Sequence, residues 1–92
     1  MLRIGILGIG QMGAPIAAAL LKAGFPLSVC DIDRGRMDAL AQAGATSRED
    51  PGELAAGSDV VITLLTYPKV VEEALLRAGG VLDRLKKDAI LI

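Results

Sequence analysis

Apolar residues fall along this chain in short solid runs, with helically spaced stretches between them. "LRIGIL" at 2–7, "PLSVCDI" at 26–32, "DVVITLL" at 59–65 and "AILI" at 89–92 are brief, rich in branched residues, and bounded by Gly, Pro or Asp. Runs of that kind read as strands covered on both faces, the pattern of a parallel sheet.

The intervening stretches carry helix signals. From Gln11 or Met12 to Ala23 the residues are helix formers, with Pro15 near the start and Gly24 as the terminating glycine. That helix is apolar almost all round, as expected of one covered on more than one side. Asp33 can cap a helix over 34–43, where Met37, Leu40 and Ala41 form an inward stripe and Gly44 follows. "DPGE" at 50–53 combines a capping Asp50, Pro51 at the first helical position and Glu53 three residues after the cap, opening a short helix that stops at Gly57. Another helix is expected from Pro68 to Ala78, with Val70, Val71, Ala74 and Leu75 inward and a Glu73–Arg77 pair on its surface. A further turn or two follows Gly79-Gly80 in "VLDRLKK". Alternating strands and helices predict an α/β fold, a parallel sheet with helices on both faces, cut short after its fourth strand.

The first strand-to-helix junction is "GIGQMG", with Gly8, Gly10 and Gly13 in GxGxxG spacing. Three glycines are weak evidence in a chain that has 11, but this set follows a strand, opens a helix and precedes a second strand. Each then has a task. Gly8 permits the sharp turn, Gly10 lets a pyrophosphate approach bare backbone, and Gly13 lets the helix lie close to the first strand. The helix start, with backbone N–H groups of Gln11 and Met12, suits a diphosphate. Asp31 ends the second strand some eighteen residues after Gly13, where such a site wants a carboxylate for the adenosine ribose hydroxyls. A carboxylate there repels a 2′-phosphate and so favours NAD. Arg34 close by could receive that phosphate, which leaves NADP open. The pattern is that of a Rossmann-type dinucleotide-binding domain.

Composition narrows the picture. The 92 residues make one domain at most. The net charge is −1 with no basic block, so neither nucleic acid nor a membrane surface is an expected partner. No apolar run reaches the roughly 18 residues of a membrane span. There is no histidine, and the single cysteine, Cys30, reads as a small buried thiol; no metal site is expected and a cytoplasmic setting follows. Hydrophobic residues make up 52% before glycine is counted, against roughly 45–50% with glycine in ordinary domains. That surplus implies a chain that associates, or one that is part of something larger. "AILI" would leave a sheet edge without its next strand, so a homo-oligomer through that edge is expected.

These residues resemble the β-hydroxyacid dehydrogenases, a family that includes 3-hydroxyisobutyrate dehydrogenase, tartronate semialdehyde reductase and the cofactor domain of 6-phosphogluconate dehydrogenase. The likeness covers essentially the whole chain. "IGILGIGQMGAPIAAALLKAG" is similar to that family's opening signature, and "MGAP" at 12–15 is its most specific part. "LSVCDID", "GATSREDPGELAAGSDVVITLL" and "GGVLDRLKKDAILI" are similar to its later strands and their approaches. The resemblance implies an NAD(P)-dependent oxidoreductase acting on a small β-hydroxyacid, with residues 1–92 as its cofactor-binding portion. It also implies that Leu65 and Thr66 border the nicotinamide, although the family usually has Leu-Pro where this chain has Leu-Thr.

The family's Asp-x-Ser-Thr segment, its glycine-rich substrate loop and its helical domain with a catalytic lysine would all lie beyond Ile92. No catalytic residue is therefore assigned, and the 92-residue chain is expected to be inactive alone. Lys22, Lys69, Lys86 and Lys87 read as solvated charges at element ends. Two alternatives stay open: a non-catalytic nucleotide-binding or interaction module of the same fold, and a different adenosine ligand such as FAD or S-adenosylmethionine.

Overall fold

The computed structural model describes residues 1–31, 33–64, 72, 73, 75–77 and 79–92. Their strands form one parallel sheet: β1 (Ile4–Leu7), β2 (Leu27–Cys30), β3 (Thr46–Ser47), β4 (Val60–Thr63) and β5 (Ile90–Leu91), in the spatial order β3-β2-β1-β4-β5. Between them, among the described residues, lie the helices α1 (Gly10–Lys22), α2 (Arg34–Gln42), α3 (Pro51–Ala56) and α4 (Val81–Arg84).

β1 is central and all four of its residues are buried. The period-two alternation of a strand divides its side chains between two cores. Ile4 and Ile6 join Leu27, Val29, Ala17, Met37 and Leu40 on the face covered by α1 and α2. Leu7 joins Cys30, Val61, Leu54, Ala55 and Val81 on the face covered by α3 and α4. Ile6, Val29, Val61 and Leu54 are fully buried, each contributing on the order of 1.5–3 kcal/mol. Between Ile4 and Ile6, Gly5 faces α3. A Cβ there would stand 2.5 Å from Ser58 Oγ and 2.6 Å from Leu54 Cδ2, so the absent side chain sets how closely α3 approaches the sheet.

The helix boundaries follow local chemistry. The Asp33 carboxylate accepts from Arg36 N–H at 3.3 Å and that of Asp50 from Gly52 N–H at 3.3 Å, each supplying a first-turn donor with a partner. α1 begins at Gly10, one or two residues earlier than expected, and Pro15 lies inside the helix.

Two features depart from the sequence reading. The sheet has five strands because β3 adds an edge strand of two exposed residues, which no apolar run announces. The expected Glu73–Arg77 ion pair does not form: Arg77 N–H donates to Glu73 C=O as helical backbone, but its guanidinium pairs with Asp50. Asp50 lies at the start of α3, and its proximity outcompetes an i, i+4 partner. The expected Pro68–Ala78 helix lies largely outside the described residues, of which 72, 73, 75 and 76 are helical, with Leu75 packed on the second core. Among the described residues, no helix is long and apolar enough to cross a membrane.

Candidate cofactor-binding site

The carboxyl ends of β1 and β2 carry the residues singled out by spacing. After Leu7 the chain turns at Gly8, whose φ of +83° is a conformation that side-chain-bearing residues rarely adopt. Gly8 N–H donates to Cys30 C=O at 2.8 Å, and Leu64 N–H donates to Leu7 C=O at 2.8 Å, so the turn is anchored to β2 on one side and to the end of β4 on the other.

α1 then starts at Gly10. Its N-cap is Ile9, an apolar residue with no side-chain oxygen to offer, and its first turn has no acidic residue. α1 itself therefore supplies neither a capping side chain nor an acidic first-turn residue to the backbone donors at its start. An anion is the complement of such an end. Gly13 sits one turn on, where a Cβ would meet Leu64 Cδ1 at 3.3 Å and Gly8 C=O at 3.4 Å. The glycine therefore accommodates the turn itself and the end of β4, more than the length of β1.

Asp31, half-buried at the end of β2, is brought to the same place. Ile9 N–H donates to its Oδ2 at 2.8 Å, and Asp33 N–H donates to its Oδ1 at 3.1 Å. Two backbone donors from different loops thus orient one carboxylate beside the glycine turn. Arg34 opens α2 and is exposed, with its guanidinium 2.7 Å from Glu49. Leu65 and Thr66 lie outside the described residues.

Cys30 is buried beneath this end of the sheet and its Sγ donates to Glu49 C=O at 3.7 Å. Burial pushes its thiol up to about 11, with the Asp31 and Asp50 carboxylates adding to the rise, so it packs as a small hydrophobe rather than as a nucleophile. Among the described residues no cluster of His, Cys, Asp or Glu could hold a metal ion.

Sequence spacing places Gly8, Gly10, Gln11, Met12, Gly13 and Asp31 at one site; it passes over Ile9 and Leu64, and over the pairing of Arg34 with Glu49 outside the turn. Ile9 lies between two motif glycines, and that position was its only signal. Leu64 was visible only as a strand end. Nothing in the sequence pointed to Glu49.

The family model for the NAD binding domain of 6-phosphogluconate dehydrogenase matches residues 3–92. The chain is 36% identical over 92 residues to the NAD-dependent L-serine dehydrogenase of Pseudomonas aeruginosa, covering all of this chain and 31% of that enzyme. It is 43% identical over 89 residues to the mitochondrial 3-hydroxyisobutyrate dehydrogenase of Drosophila melanogaster, covering 97% of this chain and 27% of the relative. Among solved structures, Mycobacterium tuberculosis 3-hydroxyisobutyrate dehydrogenase with L-serine superposes with a TM-score of 0.88 at 31% identity, over 99% of this chain and 30% of that one. The chain thus spans about 30% of the length of the relatives it matches.

Proposed function

The chain belongs to the family of NAD-binding domains typified by that of 6-phosphogluconate dehydrogenase, and from that premise we propose that it is the cofactor-holding portion of a dehydrogenase that oxidises a small β-hydroxyacid of the 3-hydroxyisobutyrate kind. The observation that carries the site is the Asp31 carboxylate held beside the glycine turn by Ile9 N–H. In this reading the pyrophosphate rests on Gly8, Gly10 and Gly13 and on the N–H groups of Gln11 and Met12. Asp31 accepts from the adenosine ribose hydroxyls, and Leu65 and Thr66 border the nicotinamide.

Nicotinamide supplies the hydride chemistry when bound. The chain's own residues bind and orient: the turn excludes side chains from the diphosphate, the α1 N-terminus offsets its charge, and Asp31 fixes the ribose. NAD is the proposed cofactor, with NADP the weaker ligand. The setting is cytoplasmic, consistent with one buried free thiol. Association through the β5 edge belongs to the same reading, because Ile90, Leu91 and Ile92 are all exposed there, and light scattering of a concentrated solution checks it.

Thermal unfolding of the chain with NAD, FAD and S-adenosylmethionine tests the assignment, since a ligand that binds only the folded form raises its stability. NAD alone should raise Tm. A larger shift with either other ligand, or none with NAD, overturns the assignment.

A further inference from the structure

The start of α2 carries two arginines, and each meets a carboxylate. Arg36 Nε lies 3.7 Å from Asp33 Oδ2, and Arg34 Nη2 lies 2.7 Å from Glu49 Oε1. The second contact joins residues far apart in the chain. Glu49 reaches Arg34 because β3 carries the backbone alongside β2: Arg48 N–H donates to Val29 C=O at 2.9 Å, and Cys30 Sγ donates to the C=O of Glu49 itself. Its carboxylate therefore stands at the same end of the sheet as Asp31, one strand further out.

We propose that Glu49 is a specificity-determining residue, which occupies Arg34 and so biases the site toward a dinucleotide without a 2′-phosphate. The proposal rests on the reading that the turn and Asp31 hold an adenine dinucleotide. A phosphomonoester brings up to about two negative charges. To use the Arg34 guanidinium it must compete for Nη2 with a carboxylate already at hydrogen-bond distance, or share the guanidinium with that carboxylate as a like charge nearby. A ribose 2′-hydroxyl makes no such demand, so NAD is indifferent to Glu49. The Arg34 and Glu49 side chains are 75% and 72% exposed, which makes their pairing weak and screened by salt. The effect is therefore a bias of a few fold. Asp31 acts on the ribose directly, whereas Glu49 acts through Arg34.

Isothermal titration of NAD and NADP into the wild-type chain, Glu49→Gln, Arg34→Gln and the double variant tests this at low and at high salt. Glu49→Gln should tighten NADP binding about three- to fivefold at low salt, less at high salt, and leave NAD binding within about 1.5-fold. The double variant should lose the gain. An unchanged NADP-to-NAD ratio in Glu49→Gln overturns the proposal, as does a gain that survives the loss of Arg34. A wild-type chain that binds NAD normally but fails these tests leaves the cofactor assignment standing; one that binds neither dinucleotide removes both.

Discussion

Ile9 N–H donates to Asp31 Oδ2 at 2.8 Å across 22 residues of sequence, tying the glycine turn to the end of the neighbouring strand. The bond, with a second from Asp33 N–H, orients the carboxylate beside the turn. Under the proposed function, Asp31 would serve two subsites of a dinucleotide, the ribose by contact and the diphosphate through its tie to the turn.

Asp31→Ala should weaken NAD binding by about ten- to a hundredfold, as loss of a charged hydrogen-bonding group costs on the order of 1.5–3 kcal/mol. The Ile9 amide should also exchange faster with solvent in the ligand-free variant. Titration and amide exchange check the two effects separately. An affinity loss without a change at Ile9 would show that the tie to the turn contributes nothing.

Two glycines should respond differently to a methyl group. Gly5→Ala drives a Cβ to 2.5 Å from Ser58 Oγ and should destabilise by about 1–3 kcal/mol, lowering Tm by roughly 5–20 °C. Gly13→Ala meets its neighbours at 3.3–3.4 Å and should cost less than Gly5→Ala. Thermal unfolding of both variants decides it, and the reverse order would mean that α3 yields more readily than the turn.

Acid should weaken the fold partly through Asp59. Its carboxylate accepts from Arg3 N–H at 2.8 Å and from Lys86 Nζ at 3.1 Å. The backbone bond foremost, then Lys86, holds its carboxyl below the usual value of 3.8. A lowered folded-state value means stability that is present above pH 3.8 and lost as pH falls below it toward the folded value. Asp59→Asn should flatten that limb of the stability–pH curve while leaving the neutral range nearly level. A limb of unchanged slope would assign the acid sensitivity to other groups.

Cys30 should resist alkylation by iodoacetamide near neutral pH, because a thiol pushed up to about 11 is almost wholly protonated. Denaturant should release it. The raised value also implies stability lost as pH climbs from 9 toward 11, since only the unfolded chain gives up its proton over that window. Cys30→Ala should reduce that alkaline loss. Rapid labelling of the folded chain at pH 7 would contradict the burial.

Local order along the chain was legible in the sequence. The solid apolar runs became β1, β2, β4 and β5, Asp33 and Asp50 capped the helices expected of them, and glycine spacing located the turn that meets Asp31. These features depend on backbone dihedrals and on partners a few residues away, so nearby residue types suffice to specify them. Only the tertiary structure decided the rest: Thr46 and Ser47 as an edge strand, Arg77 on Asp50 rather than Glu73, Gly5 as the seat for α3, and Glu49 against Arg34. A polar two-residue strand has no pattern of its own and is stabilised only by the ladder it joins. An exposed charge has many candidate partners along the sequence, and the choice among them falls to whichever the packed sheet brings within hydrogen-bond reach.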